Sequence, residues 1–159
     1  MSVALATGAG ELLTLKAHRL LRQCDALVYD SLVPQALLNL VPQGCELHFV
    51  GKRRGHHSVP QPSTNAVLVE LASRHRLIVR LKGGDPFLFG RGGEEALALK
   101  ALGIPFSIVP GITAALGAAA SACIPLTHRS LSGGFRLMTG HRMSDRQDSL
   151  DGTSGLSST

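Results

Sequence analysis

Short apolar runs punctuate this chain at residues 3–7, 26–29, 46–50, 77–81 and 106–109, and each gives way to glycine, proline or charged residues. Runs of that length bounded by turn formers read as strands buried on both faces. Between them the apolar positions recur at helical spacing. Leu12, Leu13, Leu15, Leu20 and Leu21 follow the first run, and Pro34 marks the start of a short helix after the second. Residues 64–75 form a helix after the third run with Thr64 as its N-cap, and residues 94–102 form one after the fourth, closed by Gly103 as a C-cap glycine. The small-residue run at 112–126 is shorter than the roughly 20 residues a membrane span needs, and it predicts a buried helix ended by Pro125. Strands alternating with helices predict an α/β fold, a largely parallel sheet flanked by helices. Ligands of such sheets gather beyond the carboxyl ends of the strands. The loops at 8–10, Asp30, 52–61, 83–93 and 110–113 are therefore the candidate site.

The last segment, MSDRQDSLDGTSGLSST at 143–159, breaks the pattern, since only Met143, Leu150 and Leu156 are apolar. Too little apolar area is available there to offset the entropy of ordering, so a disordered tail is expected after one domain at residues 1–142. A length of 159 residues suits one domain, and 44% hydrophobic with 17% charged residues suits a soluble globular one. The formal charge of +5 favours a polyanionic partner. Nucleic acid is not expected, because tryptophan is absent, Tyr29 is the sole tyrosine, and no basic run resembles a recognition module. Cys24, Cys45 and Cys123 form no CxxC pattern and are odd in number, which argues against a disulfide framework and for a reducing, cytoplasmic location. The opening MSVALATGAG does not read as a secretory signal, and no membrane association is expected. His56 and His57 are adjacent with no second pair at ligand spacing, so no metal is expected.

The stretch RLKGGDPFLFGRGGEE holds five glycines, one aspartate and two arginines. Such glycines serve a tight turn, or let a ligand press against bare backbone. No Gly-Lys-Ser or Gly-Lys-Thr opens a helix, and GAGELL is not GxGxxG, which disfavours nucleoside triphosphates and dinucleotides. Asp30, at a strand end, reads as a loop-capping carboxylate or as a base.

The ordered set GAG…ELLTLKA, VYDSLV, VGKRRGHHSVPQ, VRLKGGDPFLFGRGGEE, GIPFSIVPGITAALGAAASACIPLTHR and TGH resembles the uroporphyrinogen III C-methyltransferases. The resemblance implies methyl transfer from S-adenosylmethionine to pyrrole carbons of uroporphyrinogen III, giving precorrin-2 on the path to sirohaem and cobalamin. It also implies a homodimer. By the same resemblance Asp30 is the proton acceptor and Lys52 the proton donor, while Gly83, Gly84 and Asp85, with Leu88 nearby, and Thr113 and Ala114 bind the cofactor. Asp85 would face the cofactor's ammonium or its ribose. Arg53, Arg54, Arg80 and Arg91 are candidates for holding the carboxylates of an octa-acid substrate as forked donors. Two departures follow. Relatives read approximately GAGPGDPELLTLKA, whereas here Glu11 follows Gly10 directly, so one cofactor-contacting proline has no counterpart. The resemblance further implies a second α/β domain after TGH, missing from this sequence, which leaves two readings of the chain alone, an active methyltransferase and an inactive fragment of one. A basic module for another anion, such as RNA, rests on charge only.

Overall fold

The computed structural model describes residues 1–7, 10–51 and 61–139. The expectations for Lys52, Arg53, Arg54, His56, His57 and the 143–159 tail fall outside the described residues. The elements are β1 (Ser2–Thr7), α1 (Leu15–Leu21), β2 (Ala26–Tyr29), α2 (Gln35–Leu38), β3 (Glu46–Phe49), α3 (Gln61–Arg74), β4 (Leu77–Lys82), α4 (Gly92–Ala101), β5 (Phe106–Ile108) and α5 (Ala114–Ser121). The five strands form one sheet in the order β3-β2-β4-β1-β5, and every pair is parallel. Central β4 pairs Arg80 with Val28 and Lys82 with Thr7, so β1, β2 and β4 end side by side.

Strand alternation builds a core on each face of the sheet. Val3, Leu5, Val28 and Ile78 meet Leu68 and Leu71 of α3 and Leu99 of α4 on one face. Ala4, Leu27, Val79 and Leu81 meet Ala17 and Leu21 of α1 and Leu37 of α2 on the other. Because both faces are covered, the strands read as unbroken apolar runs. Local signals close the elements: Thr14 caps α1 by accepting from the Ala17 amide, and Gly103 follows α4 at a φ of +67°.

Two expectations are corrected. Helix α3 already begins at Gln61, so Thr64 is a buried residue inside it and not its N-cap. Pro62 sits in the first turn, where its missing N–H has no intrahelical partner to lose. Helix α5 is not buried; no residue along it is, and it ends at Ser121, ahead of Pro125. The apolar run foretold a helix but not a layer above it: α5 leaves the edge strand β5, and Ile112, Leu116 and Ile124 remain exposed. Among the described residues, no helix is long and apolar enough to cross a membrane.

Candidate functional site

The alternation that fills the core places Ile78, Arg80 and Lys82 on the α4 side of β4. The apolar member packs in the core, and both cations lie towards the carboxyl end, buried. Buried cations need partners. Glu95, in the first turn of α4 and wholly buried, supplies one: its Oε1 accepts from Arg80 Nε and from Lys82 Nζ, both at 3.1 Å. Arg80 Nη2 then reaches Asp30 Oδ2 at 3.0 Å, and Nη1 donates to the carbonyl of Leu81 at 2.7 Å. Burial and the neighbouring Arg80 push the Lys82 ammonium below its usual range, against the pull of Glu95.

Asp30, just past β2, is thereby fixed at both oxygens, because Oδ1 also accepts from the Leu32 amide at 3.0 Å. Its side chain stays 20% exposed, open to the space beyond the sheet. Leu32 touches the next loop: a methyl added at Gly83 would meet Leu32 Cβ at 3.2 Å. Gly84 adopts a φ of +72°, which favours glycine, and its open face looks at the Ala114 amide, 3.8 Å from where a Cβ would stand. Asp85 joins the same loops. Its Oδ1 accepts from the Phe87 amide at 2.9 Å, and its Oδ2 accepts from the Gly111 amide at 3.1 Å, across to the β5–α5 connection. Thr113 caps α5 by accepting from the Leu116 amide.

The segments holding Asp30, Gly83, Gly84, Asp85, Thr113 and Ala114 thus come together at one end of the sheet. Leu88 sits in the same turn, its amide donating to the carbonyl of Asp85. Gly90 and Gly92 have another task, since a side chain on either would collide with the Pro86 carbonyl. Arg91 is exposed, and its guanidinium makes two 3.0 Å bonds to Glu94. Arg80 differs from the expectation of a fork open to substrate: its donors are committed within the protein, to Glu95, Leu81 and Asp30. Glu95 and Lys82 were missed. The signal available was charge in a strand that otherwise reads as buried, which demands a carboxylate on the covering helix. Among the described residues, no cluster of three His, Cys, Asp or Glu side chains is placed to hold a metal.

An all-parallel α/β domain brings its loops together at the carboxyl end of the sheet, where ligands of such sheets bind. The family model for Tetrapyrrole (Corrin/Porphyrin) Methylases matches residues 2–152, and the chain belongs to that family. It is 55% identical over 139 residues to a siroheme synthase of Pseudomonas paraeruginosa, covering 87% of this chain and 30% of that one. Siroheme synthase 2 of Klebsiella pneumoniae is 53% identical over 141 residues, covering 87% and 31%. The crystal structure of uroporphyrin-III C-methyl transferase from Thermus thermophilus, complexed with S-adenosylhomocysteine, is 44% identical with a TM-score of 0.70, covering 84% of this chain and 57% of that one. The chain therefore spans about a third of these siroheme synthases and somewhat over half of the Thermus enzyme.

Proposed function

We propose that this chain carries the methyl-donor loops and the proton acceptor for S-adenosylmethionine-dependent C-methylation of uroporphyrinogen III, yielding precorrin-2 for sirohaem or cobalamin. The observation that carries this reading is the junction made by Asp85, which ties the Gly83–Gly84 loop to the turn before Thr113 and Ala114. The residues present suit the cofactor. Bare backbone at Gly84 leaves room for a close approach, and each Asp85 oxygen has lone-pair capacity beyond its one backbone bond for an ammonium or ribose hydroxyl. Bound there, S-adenosylmethionine would supply an electrophilic methyl group for an electron-rich pyrrole carbon.

The protein's own work is placement and proton removal. Asp30 takes the proton released when the methylated ring regains conjugation, and Arg80 and the Leu32 amide hold that carboxylate in one orientation. Lys52 is the corresponding donor. Arg53, Arg54 and Arg91 receive the substrate's carboxylates, while Arg80 serves Asp30. Exposed apolar side chains on and around α5 favour a second reading, in which the chain binds cofactor but does not turn over without further protein covering that surface.

Calorimetric titration with S-adenosylhomocysteine tests the donor site without requiring methyl transfer. One saturable site, lost in Asp85→Ala, is the expected result; no heat from a chain shown to be folded would overturn the reading. Turnover with uroporphyrinogen III, lost in Asp30→Asn, separates the active chain from one that only binds.

A further inference from the structure

The opposite end of the sheet, where the strands begin, carries chemistry that methyl transfer does not use. Cys24 lies two residues before β2 and Cys45 one residue before β3. The parallel ladder continues one step past the strands there, the Glu46 amide donating to the Asp25 carbonyl at 2.9 Å. A tight turn through Gly44, at a φ of +117°, completes the approach. The two thiols, 21 positions apart in sequence, stand with their sulfurs 3.5 Å apart. Both are reduced, and Cys24 is buried with its Sγ directed at the Leu21 carbonyl, while Cys45 is half-buried. An open cavity of about 650 Å³ adjoins the pair, lined by Asp25, Arg74, His75 and Arg76 as well as the thiols. That volume lies within the range of small-molecule sites, and of the two thiols lining it Cys45 is the less buried.

We propose that Cys24 and Cys45 form an oxidisable dithiol site that reacts with low-molecular-weight disulfides of the glutathione type and closes to an intramolecular disulfide. Cys45, the accessible member, attacks one sulfur of the incoming disulfide as its thiolate and expels one small thiol. Cys24 then attacks the Cys45 sulfur of the mixed disulfide and expels the second. Two protein thiols are oxidised, one external disulfide is reduced to two thiols, and the protons lost by the cysteines pass to the leaving thiolates. The bond would fasten the start of β2 to the start of edge strand β3, whose other ends lead to Asp30 and to Lys52.

The surroundings set the pace of this reaction. Burial raises both thiols above their usual range; at Cys45 the hydrogen bond with Cys24 offsets part of this while Asp25 and Glu46 add to it, and Cys24 is raised further by Cys45 and Asp25. Arg74, His75 and Arg76 also line the cavity, but Glu46 accepts from Arg74 and His75. Thiolate is therefore scarce near neutrality. Exchange is slow there and accelerates as pH rises towards that of the raised thiols.

The test uses the full chain as Cys123→Ser, which removes the exposed third thiol. Protein is incubated with glutathione disulfide, trapped with acid and alkylating agent, and mapped by peptide mass spectrometry, with urea-unfolded protein as the reactive control. The expected product is a Cys24–Cys45 cross-linked peptide formed from the native state, faster at higher pH, with a melting temperature raised by about 5 °C or more. Adding Cys24→Ser should trap a lasting glutathione adduct on Cys45, and adding Cys45→Ser should leave Cys24 unmodified. A stable Cys45 adduct beside a free Cys24 in the Cys123→Ser chain would overturn the proposal. So would a cross-link that appears only in urea. Neither result depends on cofactor binding or methyl transfer.

Discussion

Both ends of this sheet are rich in charge, yet the charges live under different conditions. At the carboxyl end, Arg80 and Glu95 have side-chain exposures of 5% and 0%, and every bond they make is inside the protein. At the amino end, Glu46 accepts from His48, His75 and Arg74 with 37% of its side chain exposed. The geometry is comparable and the energetics are not. A buried charge that loses its partner keeps the full desolvation penalty, whereas an exposed one recovers water. The end that carries the candidate chemistry is thus the end where one broken contact does most damage, and Arg80, the partner of Glu95, also bonds Asp30.

The largest effect is expected at Glu95. Its replacement by alanine leaves Arg80 and Lys82 buried with one carboxylate fewer between them, and urea unfolding should show a loss of about 3–5 kcal/mol. A double variant, Glu95→Leu with Lys82→Met, removes one charge of each sign and should recover at least half of that loss, because apolar groups of similar size often replace buried ion pairs without penalty. If the single variant loses less than about 1 kcal/mol, the contrast between the two ends collapses.

Asp85 and Asp25 offer a closer match. Each carboxylate fastens a neighbouring segment through two backbone amides: Phe87 and Gly111 for Asp85, Arg76 and Leu77 for Asp25. Asp25 is exposed and Asp85 half-buried. Alanine at position 85 should lower stability by about 1–3 kcal/mol, and alanine at position 25 by about 0.5–1.5 kcal/mol. Only the change at 85 should also abolish S-adenosylhomocysteine binding, since only that bond spans two candidate ligand loops. Equal loss of binding in both variants would show that the site responds to general destabilisation and not to the junction.

Much of this contrast was open to sequence reasoning, though unevenly. The strands were legible because burial on both faces leaves unbroken apolar runs, and the end of α4 was legible because Gly103 carries a backbone conformation other residues avoid. Gly83, Gly84 and Asp85 were legible as a glycine turn beside a carboxylate, and their proposed cofactor role came from family resemblance alone. Arg80 was seen but given an outward role, because a guanidinium beside a glycine loop looks the same in sequence whether it faces a ligand or a buried carboxylate. Glu95 decides between the two, and its partnership spans 15 residues, beyond any local pattern. The approach of Cys24 to Cys45 was hidden for a related reason, since strand register and not spacing brings them together. The exposure of α5 depends on what lies over it, which composition does not encode.

The smallest effect belongs to Glu46, and it sharpens the comparison through pH and salt. Hydrogen bonds from His75 and then His48 hold its carboxyl below the ordinary value of 4.5. A folded pKa below the unfolded one means that the unfolded chain takes up the proton first as pH falls. The contribution is therefore fully present above pH 4.5 and is lost as pH drops through the folded value. Stability of the native chain relative to Glu46→Gln should be greater at about pH 6 than at about pH 3, with the difference confined to that acid limb. Because the group is solvated, about 1 M salt should erase most of the difference. The same salt should leave the Glu95→Ala loss nearly intact, since ions do not reach a carboxylate with no exposed surface. A Glu46 effect that survives high salt would place this cluster with the buried network and remove the distinction between the two ends.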